Sequence, residues 1–334
     1  MPFSAQTSPA DSPSHFQYSR VCSHRFSRRT LLKGVGGLAA ASVIGGGAVV
    51  AGSAPAQAAV TVAEHEDHGR MQYYKLATSS VGWLPRVNVL LPDGYDTSHR
   101  YPVLFLLHGG GENYSTFDTK YDIRNHTAGR DLIVVMPDGG AAGWYCDPES
   151  SNVGPRNWET FHIKELIPWV DATFATIGQA SRRAISGFSM GGFGALKYAA
   201  KYPELFASVS SHSGPADLRI QDGAVVHWAN FTAGATDLKG GTIYGIPWDQ
   251  ARVSADNPVE HVESYRGKRV FLVSGTESDR YESVVLPSQQ SFGKVLDGAG
   301  IGYERYEDTG AHVVRWGRIQ QDIDSLLNHF ATAG

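Results

Sequence analysis

From residue 73 onward, short apolar runs alternate with longer segments in which apolar residues recur every three or four positions. Residues 86–92 (Arg-Val-Asn-Val-Leu-Leu-Pro) alternate and end at an Asp93-Gly94 turn, which predicts a strand. Residues 101–107 hold the unbroken run Val103-Leu104-Phe105-Leu106-Leu107, the pattern of a strand buried on both faces. Similar runs predict strands at 132–136, 183–186, 207–210, 269–274 and 302–306. Helical spacing occupies 159–174, with Pro168 expected to kink it, and then 191–201, 288–296 and 314–330.

Strands alternating with helices predict an α/β class chain, with a mostly parallel central sheet covered by helices on both faces. Two segments break the alternation. Residues 215–262 are Gly-rich and too long for an ordinary connection, so they are read as an irregular insertion near the active site. Residues 59–72 contain His65-Glu66-Asp67-His68, which reads as a solvated terminus and not a metal site, because no partner motif accompanies it. No period of 20–50 residues recurs, which argues against a repeat architecture.

Composition adds little to this picture and excludes some partners. The chain has 334 residues, of which 42% are hydrophobic and 19% charged, an ordinary globular balance. Its formal net charge of −4 gives no reason to expect nucleic-acid binding. The N-terminal 1–58 reads as an address. Arg28-Arg29 precede a Gly/Ala-rich, weakly apolar run, and Ala56-Gln57-Ala58 supplies small residues for cleavage. That is the pattern of a twin-arginine signal segment, which predicts a secreted chain over 59–334 with no stable membrane anchor. Removal of Cys22 with it would leave Cys146 alone, so no intramolecular disulfide is expected.

The candidate chemistry sits at strand ends. Gly187-Phe188-Ser189-Met190-Gly191 is a G-x-S-x-G turn between a strand and a helix, which makes Ser189 a candidate nucleophile. The Met190 amide at the start of that helix is one candidate oxyanion donor. The second is expected from His108-Gly109-Gly110-Gly111 after the first central strand, most simply the Gly110 amide. His312 follows the last strand and precedes the last helix, where the base falls in the Ser–acid–His order; His212 follows the wrong strand for that role. The acid belongs after the strand ending at Ser274. Asp279 and Glu282 both qualify, and spacing does not choose between them. Trp144, Trp228 and Trp248 are candidate substrate-binding aromatics near the top of the sheet.

With these motifs in place, the chain resembles the esterase branch of the α/β-hydrolase superfamily over about residues 73–330. That branch holds tributyrin and feruloyl esterases, S-formylglutathione hydrolases and secreted mycolyltransferases. Counterparts in the mycolyltransferases match Trp158-Glu159-Thr160-Phe161, Ile167-Pro168-Trp169, Asp256-Asn257-Pro258 and Tyr281-Glu282-Ser283 in the same order. That resemblance implies Glu282 as the acid, whereas a likeness to the formylglutathione hydrolases implies Asp279. The His108 and triple-Gly run departs from the mycolyltransferase pattern.

The expected activity is hydrolysis of a small-molecule, polysaccharide or lipid ester through an acyl-Ser189 intermediate, without metal or organic cofactor. Two alternatives use the same fold: acyl transfer to a sugar or glycerol hydroxyl, and non-catalytic adhesion.

Overall fold

The computed structural model describes residues 60–332, so the leader read at 1–58 lies outside the described residues. Among the described residues nine strands form one sheet: β1 (Thr61–His68), β2 (Met71–Ala77), β3 (Arg86–Leu90), β4 (Val103–Leu107), β5 (Ile133–Pro137), β6 (Arg183–Phe188), β7 (Ser208–His212), β8 (Arg269–Gly275) and β9 (Glu304–Asp308). Their spatial order is β1-β2-β3-β5-β4-β6-β7-β8-β9. The steps β1-β2, β2-β3 and β3-β5 are antiparallel, and every step from β5 to β9 is parallel.

The unbroken apolar runs follow from burial on both faces. Along β4, Val103, Phe105 and Leu107 join one core while Leu104 and Leu106 join the other. Ile133 and Val135 of β5 divide from Val134 and Met136 in the same way. Successive side chains on a strand point to opposite faces, so a two-sided core demands apolar residues at every position.

The helices are α1 (Thr116–Thr119), α2 (Ile123–His126), α3 (Trp158–Thr160), α4 (Ile167–Thr173), α5 (Met190–Lys201), α6 (Ile220–Ala235), α7 (Gln250–Asp256), α8 (Glu282–Gly298) and α9 (Trp316–Thr332). Where a kink at Pro168 was expected, α3 runs into α4 through a π turn, Phe161–Leu166. Widening the turn there accommodates a ring that has no N–H to donate. Helix α8 begins six residues before the predicted boundary and carries Pro287 inside it. The Ser283 carbonyl, deprived of its donor by that proline, accepts from Gln221 Nε2 at 2.9 Å.

Residues 61–68 are solvated, as expected, but form an exposed edge strand paired with β2. Apart from Val62 and Ala63 its side chains are polar, and none belongs to the core, so no alternation announced it. Among the described residues no group of His, Cys, Asp and Glu there or elsewhere forms a metal site. The 215–262 segment is not irregular, since it contains α6 and α7. Val225, Val226, Ala229 and Ala233 bury one stripe of α6, a helical spacing obscured by Gly223 and Gly234.

A buried ionic cluster ties this insertion to the helix behind Ser189. Lys197 of α5 is wholly buried and donates to Glu159 of α3 at 2.7 Å, with Asp256 of α7 at 3.7 Å. Lys201 bridges the same two carboxylates at 2.8 Å each. Burial alone would raise the Glu159 pKa, but Lys197 and Lys201 outweigh it and pull it down to about 2. A depressed carboxylate stabilises the fold above its unfolded pKa, and that contribution disappears as pH falls from about 4.5 through about 2. Removing one partner of a buried ion pair strands the other. Lys197→Met is therefore expected to cost about 3–5 kcal/mol at pH 7. Urea unfolding would measure it, and an unchanged midpoint at pH 7 would show that the cluster does not hold these helices.

Candidate active site

Ser189 lies between β6 and α5 with φ 55° and ψ −118°, a region that residues with a Cβ rarely occupy. The turn closes because its flanks are glycines. A Cβ at Gly191 would overlap the Leu107 carbonyl, and one at Gly187 would overlap the backbone of Gly191. The Ser189 amide donates to the His212 carbonyl at 2.8 Å, which ties the turn to β7. Its hydroxyl faces a cavity of about 650 Å³.

His312 stands on the loop between β9 and α9, with Nε2 2.8 Å from Ser189 Oγ. Its ring lies between Phe188 and Tyr281, with centroids 5.0 and 4.9 Å away. The carboxylate at the imidazole Nδ1 is Glu282, at 3.2 Å. Glu282 is buried, and the same Oε1 accepts a 2.6 Å bond from Ser213 Oγ. Ser213 adopts φ 50°. In the sequence a Ser beside a Gly after a strand carries no distinctive signal, so Ser213 is found only in the structure.

Asp279 does not reach the imidazole. Its Oδ1 accepts the Tyr281 and Glu282 amides at 2.7 Å each, and its Oδ2 accepts the His312 amide at 2.9 Å. It therefore straps the His312 loop to the start of α8. His212 also stays apart from Ser189 Oγ, buried with Nε2 2.9 Å from Asp322.

Hydrogen bonding in the His-Gly-Gly-Gly turn leaves one amide free. His108 Nε2 accepts from the Gly139 amide at 2.9 Å, so Nδ1 carries the proton and donates to the Gly109 carbonyl at 2.8 Å. Burial pushes the His108 pKa down, which keeps it neutral in this role. The Gly109 amide donates to Glu112 and the Gly111 amide to the Ala141 carbonyl. Among the described residues the Gly110 amide has no acceptor, and Gly110 lines the cavity with Met190. Met190 is the first residue of α5, where a backbone N–H has no intrahelical partner.

Of the three expected aromatics, two line the cavity. Trp144 has φ 50° and donates its indole N–H to Thr232 Oγ1 at 2.9 Å. Trp228 of α6 meets it edge-on, with ring centroids 5.0 Å apart. Trp248 is not part of the wall. It covers Gly223, where a Cβ would collide with its ring, and packs against His227. Sequence placed it on the right segment but could not say which way that segment turned. Cys146, the one cysteine among the described residues, is buried, and burial raises its thiol pKa to about 12, so it is not a reactive thiol.

A family model described as "Putative esterase" matches residues 78–316. The chain is 56% identical over 277 residues to an esterase of Mycobacterium tuberculosis, covering 80% of this chain and 60% of the relative. It thus spans about three fifths of that curated relative's length. Among solved structures, an S-formylglutathione hydrolase from Agrobacterium tumefaciens aligns with TM-score 0.64 at 20% identity, over 82% of this chain and 99% of that one. MPT51 of Mycobacterium tuberculosis aligns with TM-score 0.63 at 21% identity, over 81% of this chain and 100% of that one. At such identities these two likenesses show the shared α/β-hydrolase fold alone.

The two carboxylates are separable by substitution. Glu282→Ala is expected to lower kcat by about 10⁴-fold, as loss of a triad carboxylate does. Asp279→Ala, which only loosens the loop, should cost about 10- to 100-fold. Steady-state kinetics on one ester would decide, and the reverse ranking would make Asp279 the acid.

Proposed function

Because the chain belongs to the esterase family, we propose that it is a serine carboxylesterase working through an acyl-Ser189 intermediate. The observation that carries this reading is the relay from Ser189 Oγ through His312 to Glu282, with bonds of 2.8 and 3.2 Å.

His312 Nε2 takes the Ser189 proton as Oγ attacks the ester carbonyl. The carbonyl oxygen becomes an oxyanion, received by the Gly110 and Met190 amides. As the tetrahedral adduct collapses, His312 gives its proton to the departing alkoxide, and the acyl group stays on Ser189. Water, deprotonated by the same imidazole, then releases the acid and restores the serine. Glu282 stays ionised and accepts the hydrogen bond from Nδ1–H throughout, fixing the tautomer and stabilising the imidazolium. No step calls on a metal or an organic cofactor.

Trp144 and Trp228 form an apolar wall that suits the acyl part of a small-molecule, polysaccharide or lipid ester. Export by the twin-arginine route completes the proposal, supported by Arg28-Arg29 ahead of the weakly apolar run. No helix among the described residues is long and apolar enough to cross a membrane.

Ser189→Ala is expected to lower kcat at least about 10⁴-fold across p-nitrophenyl esters from acetate to palmitate and methyl ferulate. Activity surviving that substitution would refute the mechanism. Replacing both Arg28 and Arg29 by Lys should retain the full-length chain inside the cell, as read by fractionation. Undiminished export would refute the proposed route.

A further inference from the structure

Glu112 follows the three glycines, and its side chain turns back onto them. Oε2 accepts the Gly109 amide at 2.9 Å. The Glu112 amide in turn donates to the Gly109 carbonyl at 3.2 Å, so side chain and backbone grip the same residue. Oε1 accepts the Tyr121 hydroxyl at 2.6 Å and Lys120 Nζ at 3.2 Å. Tyr121 remains a donor because burial and the neighbouring Glu112 raise its pKa to about 12. The carboxylate is thus oriented at both oxygens, and its side chain is only 13% exposed.

A chain of glycines has no side chains to hold its shape and samples more backbone conformations than any other sequence. An oxyanion donor is effective only when its direction is settled before the charge develops. The Gly109 bond to Glu112 and the Gly111 bond to Ala141 lie on either side of the free Gly110 amide. Resting on the serine-esterase reading above, we propose that Glu112 is a positioning residue that aims the Gly110 amide at the oxyanion, acting through Gly109. Lys120 and the Tyr121 hydroxyl counter its negative charge, which would otherwise oppose the one forming nearby.

The test compares Glu112→Ala with Glu112→Gln, whose amide oxygen still accepts from Gly109. Each is assayed on a p-nitrophenyl ester and titrated with a matched pair of inhibitors. A trifluoromethyl ketone adds Ser189 Oγ to give an anionic tetrahedral adduct, whereas the corresponding methyl ketone binds without one. Glu112→Ala is expected to lower kcat by about 10- to 100-fold, short of the 10²–10³ for deleting a donor outright, with KM within about twofold. Trifluoromethyl ketone affinity should fall in parallel and methyl ketone affinity should hold, while Glu112→Gln recovers most of the rate.

An unchanged kcat in Glu112→Ala, equal weakening of both ketones, or a Glu112→Gln variant as slow as Glu112→Ala would overturn the assignment. Should Glu112→Ala not fold, Tyr121→Phe removes the shorter of the two bonds to Oε1 and is expected to give a smaller loss with the same inhibitor pattern; no such loss counts against it. Ser189→Ala run alongside separates the two levels. If it stays active, the esterase mechanism itself fails; if it is inactive while Glu112→Ala is normal, only the role of Glu112 fails.

Discussion

The left-handed backbone at Ser189 is the constraint around which the rest of the site is arranged. A serine at φ 55° is held there only because the chain has no room to relax. The glycine at 191 passes against the Leu107 carbonyl at the end of β4, and the glycine at 187 against the backbone of Gly191. Helix α5 must therefore start at once, and its orientation carries the Met190 amide with it. The Lys197 cluster, buried along the same helix, fastens α5 to α3 and α7. Stability and site geometry thus share one element.

Around that turn, the loops are fixed mainly through backbone amides. Asp279 binds three of them, joining the His312 loop to the start of α8, so imidazole and Glu282 approach each other as one unit. Ser213 holds the Glu282 carboxylate from the other side. In the glycine turn, His108 and Glu112 do the same work with a neutral ring and a carboxylate. Buried polar groups without partners are costly, and most of those in these loops are satisfied, Glu282 Oε2 being an exception. Gly110, whose amide is free, is exposed.

The cavity wall has a different origin. Trp144 comes from the loop after β5 and Trp228 from α6, and the 2.9 Å bond from the Trp144 indole to Thr232 joins them. The insertion is therefore part of the site's shape, and its helices pack on the body through the Lys197 cluster and the Gln221–Ser283 bond.

Strands β4 to β9, the helices α5 and α9, and the pairing of Ser189 with His312 were legible in the sequence by itself. Their signals are local: unbroken apolar runs, helical spacing, and a glycine turn whose meaning comes from the strand before it and the helix after it. Which carboxylate meets His312 was not legible, because Asp279 and Glu282 are three residues apart. Only the packing of the β9–α9 loop against α8 decides which of the two faces a ring 30 residues on. The same holds for Ser213, for Glu112 and for the absence of Trp248 from the cavity. Each depends on where a side chain points after the chain has turned, and no spacing along the sequence records that direction. Edge strand β1 was missed for a related reason: it buries almost nothing, and its place is set by backbone pairing with β2, which any polar sequence can make.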